Sequence, residues 1–197
     1  MSQYKIFKTP GTFIYKGRKY KEFYSWYNTT WRGSREIEIP LGMFFLLSNK
    51  GRRVLEIGHV LKHYNKKLIH TVLDKYEKWP GVINEDLENF HPSQRYDCIV
   101  SISTLEHIGM EIKGDKKKKL LSCFRNMKAI LNNNGKILFT IPIGFNKDLD
   151  YLILTKKIKI DSIIIMKKIN NHWQEINRLP KELKYDDGYL LIGEIRK

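Results

Sequence analysis

Acidic residues recur at the points where short apolar runs of this sequence end. Five such endings stand out, and four of them contain Asp or Glu: Glu56-Ile57-Gly58, Asp74, Glu85-Asp86, residues 103–107 and Pro142-Ile143-Gly144. A pyrophosphate would be repelled by these acids, and it binds instead at glycine-rich helix N-termini. Carboxylate oxygens accept hydrogen bonds and attract positive charge. The acids therefore predict a ligand rich in hydroxyl, amino and cationic groups.

The apolar runs themselves have the length and composition of buried strands. Strands are predicted at residues 53–57, 68–73, 82–83, 96–102 and 136–141, and helices at residues 60–67 and 115–131. In the second helix apolar residues recur at three- and four-residue spacing. Strands that alternate with helices and are apolar throughout indicate a parallel sheet covered by helices on both faces. Such sheets bind ligands beyond the carboxyl ends of their strands, where the acids lie.

The two ends of the chain depart from this alternation. Residues 162–169 and 189–195 are predicted as an antiparallel pair of strands at the sheet edge, joined by a polar connection containing Trp173. The Asn-Asn-Asn-Gly sequence at residues 132–135 predicts a turn that ends the preceding helix. Near the other end, Pro40 is expected to break or start a helix, and residues 41–47 to form an apolar helix.

From residue 52 onward the chain resembles the class I methyltransferases, which use S-adenosylmethionine. Five segments carry the resemblance, in the family's order: RVLEIG at residues 53–58, Asp74, NEDL at residues 84–87, YDCIVSISTLEHIG at residues 96–109 and LNNNGKILF at residues 131–139. The resemblance implies an α/β, three-layer Rossmann-like fold. Its sheet would be mostly parallel and seven-stranded, with an antiparallel C-terminal strand beside the fifth.

The resemblance also implies which residues hold S-adenosylmethionine. They are Glu56, Gly58, His59, Asp74, Asp86, Leu87 and Ser103. Asp74 would hold the ribose hydroxyls and Asp86 the adenine amine, with Glu85 as the alternative for adenine, and His59 would make its contact through the backbone. Helix capping is the alternative role for Glu56 and Asp74. Arg35 is a candidate for the cofactor's carboxylate or a substrate anion, the alternative being an ordinary surface ion pair.

The loop after the fourth strand faces the transferred methyl group in this family. His107 is therefore the candidate general base, with Glu106 beside it, and the alternative is that the pair only shapes the pocket. EIG, STLEHIG and the preceding REIEIP resemble small methyltransferases of sugars and glycans. The expected reaction is transfer of a methyl group to an oxygen or nitrogen atom of a small or glycan-type acceptor.

One motif departs from the family pattern. The family often has three alternating glycines after the first acid, but here only Gly58 is present, and Val60 and Lys62 occupy the other two positions. A valine side chain would narrow the approach of the loop to the cofactor's methionine part. This departure leaves a second interpretation open, in which the chain is a non-catalytic binding module on a degenerate methyltransferase fold.

The chain is strongly basic, with a formal net charge of +15. Residues 1–53 contain eleven Lys and Arg but only three Glu, so more than half of the net charge lies in the first quarter of the chain. Residues 15–31 also contain several aromatic side chains, which would stack on bases while the lysines contact phosphates. Methylation of RNA or another nucleic acid is therefore the alternative function.

Residues 1–47 are interpreted as a basic, aromatic extension and a helix that cover the cofactor or substrate site, and residues 48–197 as the methyltransferase domain. Cys98 and Cys123 are expected to be buried free thiols, which favours a cytoplasmic protein. The N-terminus lacks the apolar core of a signal peptide, and no apolar stretch is long enough to span a membrane. The five histidines other than His107 lack ligand-like spacing with acids or thiols, so no metal site is predicted. The sequence indicates no oligomeric state.

Overall fold

The structure, a computed structural model, describes residues 9–177, 184–185 and 188–197. The first eight residues of the predicted N-terminal extension lie outside these ranges. The strands are β1 (Thr12–Tyr15), β2 (Arg18–Lys21), β3 (Val54–Ile57), β4 (Thr71–Leu73), β5 (Val82–Ile83), β6 (Tyr96–Ile102), β7 (Leu131–Pro142), β8 (Ser162–Ile169), β9 (His172–Ile176) and β10 (Tyr189–Arg196). The helices are α1 (Arg35–Ser48), α2 (Leu61–Tyr64), α3 (Lys116–Ala129) and α4 (Lys147–Leu154), with 3-10 helices at Tyr27–Arg32 and Leu105–His107.

The described strands form a hairpin of β1 and β2 and a main sheet in the order β5-β4-β3-β6-β7-β10-β8-β9. Neighbours from β5 to β7 are parallel. β10 lies antiparallel between β7 and β8. β8 therefore runs in the same direction as the five parallel strands from β5 to β7 in the sheet order. This topology confirms the predicted mostly parallel sheet with an antiparallel C-terminal strand. The strand order reverses between β3 and β6, where a ligand site is expected.

The sheet has one strand more than predicted, because β9 forms in the connection that was expected to be irregular. Asn170 and Asn171 both have positive φ values, 48° and 64°, and join β8 to β9 as a two-residue turn. Turns with two left-handed residues match the twist of a hairpin, and asparagine is one of the few residues that tolerates them. Trp173 on β9 is only 5% exposed and belongs to the core.

The predicted turn at residues 132–135 is also different in the structure. β7 already begins at Leu131, and Tyr96 pairs with Leu131 while Cys98 pairs with Lys136. An advance of two residues along β6 therefore corresponds to five residues along β7, so residues 132–135 form a bulge within β7. Asn134 adopts the left-handed conformation there, with φ 62°.

Helix α1 does not break at Pro40, although the sequence predicted an interruption there. Proline has no amide hydrogen, so the carbonyl of Glu36, four residues earlier, loses its helical partner. That carbonyl instead accepts a hydrogen bond from the Phe23 amide at 2.8 Å. The segment before the helix thus supplies the donor that proline removes, and the helix continues to Ser48.

Alternate residues of the sheet face two different helical layers. On β6, Ile99 packs in a cluster with α3 and α4, whereas Val100 and Ile102 pack with α1. The hairpin covers the same face as α1: Phe13 and Tyr15 are buried against β7, β8, β9 and β10. These contacts give the predicted three layers. Cys98 and Cys123 are buried free thiols, as expected.

No helix within the described residues combines the length and the apolar character that crossing a membrane requires.

Candidate functional site

A first cavity of about 390 Å³ opens beyond the carboxyl ends of β3, β4 and β6. It lies at the edge where the sequence predicted the ligand site. Several acids and two lysines line it, together with a few apolar residues: Ile57, Gly58, Leu73, Asp74, Lys75, Tyr76, Glu77, Glu85, Asp86, Leu87, Thr104, His107, Ile108, Glu111 and Lys119.

Asp74 lies at the end of β4, and backbone amides of two different loops orient its carboxylate. One oxygen accepts from the His59 amide at 3.1 Å. The other accepts from the amides of Tyr76 and Glu77, both at 2.8 Å. A carboxylate offers about four lone-pair positions, so acceptor capacity remains on the side that faces the cavity. Asp74 is thus a rigidly held acceptor in the wall of the cavity.

Gly58 forms the floor of the first cavity where β3 turns towards α2. Its φ of +86° is left-handed, and a Cβ atom there would lie 2.1 Å from Thr104 Oγ1. Both facts require glycine, the first because of conformation and the second because of space. The single glycine retained from the motif therefore allows the close contact between the β3 and β6 loops.

Glu56 and His59 do not line the first cavity. The Glu56 side chain is fully buried and accepts from the amides of Val60 and Leu61 at 2.9 and 2.6 Å. Its other oxygen lies 2.5 Å from His70 Nε2. Of the two alternatives for Glu56, the geometry shows the helix-capping one. His59 directs its backbone amide to Asp74, while its ring lies outside the cavity.

The residues that replace the two missing glycines also leave the first cavity free. Val60 packs beside the buried cluster under α1. Lys62 lines a separate small cavity with Trp79. The departure from the family motif thus changes the far side of the loop and not the cavity wall.

Asp86 belongs to an ion-pair network at the first cavity. Its Oδ2 lies 3.0 Å from Lys75 Nζ and 2.7 Å from Lys119 Nζ, and both lysines also contact Glu111. Although burial opposes ionisation of Asp86, hydrogen bonds from Lys119, the Glu88 amide and Lys75 lower its pKa to about 2. Asp86 is therefore ionised at neutral pH. The neighbouring Leu87 is buried and adds apolar surface.

A second cavity, of about 410 Å³, lies on the other side of His107. It combines charged groups with four aromatic rings: its walls are Arg32, Gly33, Ser34, Arg35, Glu38, Ser103, Glu106, His107, Pro142, Phe145, Lys168, Trp173, Tyr185, Gly188 and Tyr189. His107 is the residue that lines both cavities.

Glu38 is a buried acid in the wall of the second cavity that sequence analysis did not identify. Ser103 Oγ and Thr140 Oγ1 both donate to its Oε1 at 2.5 Å, and Ser34 Oγ donates to its Oε2 at 2.9 Å. Arg35 Nε lies 3.9 Å from Oε2. The only signal was an acid within the apolar run of α1, at a position that the helix turns towards the sheet.

Ser103 and Arg35 lie in the second cavity and not beside the acids of the first. The Ser103 hydroxyl is engaged by Glu38, and its backbone has a left-handed φ of 38°. Arg35 donates to the Ile102 carbonyl at 3.2 Å. The residues of this loop that do reach the first cavity are Thr104, His107 and Ile108. These positions place both predicted cofactor contacts on the other side of His107.

Glu106 and His107 differ in exposure and in charge. Glu106 is 2% exposed, and burial, reinforced by the negative charge of Glu38, raises its pKa well above the usual range. Partial burial of the His107 ring, followed by the positive charge of Arg35, lowers the pKa of the imidazole. The two side chains are 3.9 Å apart, which is beyond hydrogen-bond distance. The environment of the site therefore favours the neutral form of both the Glu106 carboxyl group and the His107 imidazole.

Comparison with known proteins identifies the fold. A scan against families of protein sequences finds no match, and a search of curated proteins finds no significant match. The N-methyltransferase NodS from Bradyrhizobium japonicum WM9, in complex with S-adenosyl-L-homocysteine, matches the structure with a TM-score of 0.54 and 15% identity, over 82% of this chain and 86% of that one. A TehB-like SAM-dependent methyltransferase from Corynebacterium glutamicum ATCC 13032 Kitasato matches with a TM-score of 0.51 and 15% identity, over 86% and 92%.

These likenesses agree with the resemblance found in the sequence and with the strand order of the sheet. At such low identities they define the architecture alone. The chain has the Rossmann-like fold of the class I methyltransferases.

Proposed function

We propose that the protein is an S-adenosylmethionine-dependent methyltransferase that methylates a nitrogen or oxygen atom of a small or glycan-type acceptor. The observation that carries the proposal is the meeting of two cavities at His107. The first cavity would hold the cofactor and the second the acceptor. Such an arrangement brings two ligands together at one point, which is the requirement of a group-transfer enzyme.

The first cavity has the chemistry that the cofactor needs. Asp74 and Asp86 offer carboxylate oxygens to the ribose hydroxyls and the adenine amine, and Leu87 offers an apolar surface to the adenine ring. The surrounding acids attract a ligand with sulfonium and ammonium groups. Gly58 permits close approach, because a side chain there would meet Thr104. NodS, which shares the fold, was solved with S-adenosyl-L-homocysteine, the demethylated form of this cofactor.

When bound, the cofactor would supply a methyl group on a positively charged sulfur, and a nucleophile of the acceptor would attack the methyl carbon in line with the departing sulfur. The chain contributes mainly position, because holding two reactants in line lowers the barrier substantially. His107, neutral at pH 7, accepts the proton that the acceptor loses. Glu106, in its protonated form, donates a hydrogen bond to the acceptor.

The second cavity fits a polar acceptor with flat apolar faces. Phe145, Trp173, Tyr185 and Tyr189 present ring surfaces, while Glu38, Glu106 and Arg35 provide polar contacts. Rings beside hydrogen-bonding groups suit a sugar or a small amine better than a long apolar chain. This combination supports the small or glycan-type acceptor.

Part of the N-terminal extension closes this site. Arg32 to Arg35 and Glu38 form one wall of the second cavity, so the segment that precedes β3 would contact the acceptor. The hairpin of β1 and β2 instead covers the sheet face over β8 and β10. We infer that the covering role predicted for residues 1–47 belongs to residues 27–38.

RNA is the second candidate acceptor, and an exposed aromatic surface supports it. Trp26, Tyr27 and Trp79 are 46–53% exposed, and Lys62 and Lys66 lie beside Trp79. Rings next to lysines combine base stacking with phosphate contacts. Steeply salt-dependent retention of RNA, with methyl transfer to it, would favour this acceptor over the glycan type.

Calorimetric titration with S-adenosyl-L-homocysteine tests the cofactor site. We expect binding by the native chain and, for Asp74→Ala, an affinity at least about tenfold weaker, since hydrogen bonds to a charged group contribute about 1.5–3 kcal/mol each. Asp148→Ala is the matched control, because this acid lies on α4 and pairs with Lys117 away from both cavities. Absence of binding by the native chain would instead support the non-catalytic module.

The acceptor is identified by transfer of a labelled methyl group. The panel would contain amino sugars and oligosaccharides, nucleotide sugars, small aliphatic amines and RNA. Transfer to a member of the first three classes supports the proposal. Transfer to RNA alone would overturn the acceptor class while leaving the cofactor site intact.

A further inference from the structure

Two histidines and an acid that borders the first cavity meet beside it. They are His59, which follows Gly58, His63 on α2, and Glu77 in the loop after β4. His59 Nδ1 lies 3.8 Å and His63 Nε2 3.6 Å from Glu77 Oε1. When one potential ligand atom is taken from each residue, no two of these atoms are more than 4.8 Å apart. This is the one such group of His, Cys, Asp and Glu side chains in the part of the chain that the structure describes.

His59 supplies an independent indication that a ligand is missing from this cluster. Its side chain is only 2% exposed, yet neither ring nitrogen has a hydrogen-bond partner among the described residues. A buried polar group that is left unpaired destabilises the folded chain. An ion bound by His59 Nδ1 and the Glu77 carboxylate would give one of the two nitrogens a partner and so reduce this destabilisation.

The spacing of the three groups is close to that of a tetrahedral metal site. Two ligand atoms at 2.0–2.1 Å from a zinc ion, at a tetrahedral angle, are about 3.3 Å apart. The two nitrogen–oxygen distances, 3.8 and 3.6 Å, exceed that spacing by a few tenths of an ångström, and no two ligand atoms of the group are more than 4.8 Å apart. His59 and His63 are four residues apart, so the turn of chain around α2 places both rings on one side.

Neighbouring rings hold the two imidazoles in orientation. Tyr27 stacks on His63 at 5.1 Å between ring centroids, and the two imidazoles lie 4.3 Å apart. Trp79 flanks both, at 5.8 and 5.9 Å. Ligand side chains that are already oriented lose less entropy when an ion binds.

The donor set selects the kind of ion. Two imidazole nitrogens and one carboxylate suit zinc and the neighbouring late transition metals, whereas calcium and magnesium prefer several oxygen ligands. Lys62 and Lys66 line the adjoining cavity and add positive charge. A hard cation held by a single carboxylate would not overcome that charge, so coordination by imidazole is required.

We propose that His59, His63 and Glu77 form a zinc site, with a water molecule as the fourth ligand. The ion would join the turn after β3 to the loop after β4. These two segments also supply the His59 and Glu77 amides that hold the carboxylate of Asp74. A bound ion would thus fasten the wall of the first cavity. Sequence spacing did not predict it, because Glu77 approaches the histidines only in the folded chain.

The test is metal binding by the full-length, tag-free protein after treatment with a chelator. We expect one zinc ion per chain, measured by competition with a chromophoric chelator. Cobalt(II) should give the visible absorption of a tetrahedral site with nitrogen ligands. Loss of an outer-shell partner alone weakens metal sites about 10–100-fold. His63→Gln and Glu77→Gln should therefore each weaken zinc binding by at least about 100-fold.

His91→Gln is the matched control, since His91 is exposed and lies outside the cluster. Thermal unfolding with and without zinc gives a second readout, in which zinc raises the Tm of the native chain and of the control but not of His63→Gln or Glu77→Gln. Absence of binding by the native chain, or equal binding by the control and the cluster variants, would overturn the proposal. Neither measurement depends on methyl transfer.

Discussion

At the scale of single residues, the proposed function depends on His107, because this side chain borders both cavities. Its ring is 61% exposed and in edge contact with Phe145, at 4.7 Å between centroids. The neighbouring Arg35 disfavours the imidazolium form. In the proposed reaction, this position lets the ring accept a proton from an acceptor in the second cavity.

Replacement of His107 tests its role as general base. His107→Ala should lower kcat about 100-fold with the acceptor identified by methyl transfer. Because the pKa of His107 lies below 6.5, kcat/KM of the native enzyme should stay level down to pH 7 and fall only below the usual histidine pKa. That acidic limb should disappear in the variant. His91→Ala is the control, and a variant that retains near-normal kcat would reduce the role of His107 to positioning.

The direction of a side chain determined which predicted site residues reach the first cavity. Asp74 and Asp86 were predicted from their positions at strand ends, and both line it. Glu56 occupies an equivalent position but turns towards the amides of α2. Strand ends can be read from a sequence, whereas the choice between capping a loop and facing a cavity depends on the amides available nearby. Glu38 was missed for a related reason, since two of its hydroxyl partners, Ser103 and Thr140, are distant from it in the sequence.

At the scale of elements, the turn between β3 and α2 is the most constrained connection of the site. Gly58→Ala should destabilise the fold by about 1–2 kcal/mol for the left-handed conformation and by a further 1–3 kcal/mol for the contact with Thr104. Gly51→Ala isolates the first contribution, because Gly51 has φ +85° but open space around its Cβ position. Urea unfolding measures the difference. Equal losses in the two variants would show that the loops relax without strain.

The parallel core of the sheet was predictable because each of its strands is a short apolar run with a clear end. β9 and the bulge in β7 were not predictable in this way. Asn170-Asn171 and the Asn-rich stretch at residues 132–135 both indicate left-handed backbone. The same residue type forms a hairpin turn in one place and a bulge within a strand in the other. The outcome depends on strand pairing, with β8 in the first case and β6 in the second.

At the scale of the whole molecule, the N-terminal segment belongs to the same packed structure as the sheet. Phe13 and Ile14 are adjacent on β1 and face opposite ways, with 2% and 61% exposure. Phe13→Ala should cost about 3–5 kcal/mol in the free energy of unfolding. Ile14→Ala, the matched control, should change it by less than about 0.5 kcal/mol. Equal effects, measured in urea, would mean that the hairpin does not contribute to the core.

The sequence indicated the basic and aromatic character of this segment but not its division. From the sequence alone, its aromatic residues could not be divided into buried and exposed ones. Contact with the sheet separates Phe13 and Tyr15, which are core residues, from Trp26 and Tyr27, which remain exposed. Composition therefore predicted an aromatic surface that only part of the segment exposes.

Pro40 makes the helix before the sheet dependent on residues far upstream. A shortened chain that began at residue 34 would retain every motif of the resemblance, yet it would lack the Phe23 amide. The Glu36 carbonyl would then be an unpaired acceptor in a fully buried residue, at a cost of about 1–3 kcal/mol. Proteolytic trimming to that residue would therefore yield a less stable fragment, although it would keep every motif of the resemblance.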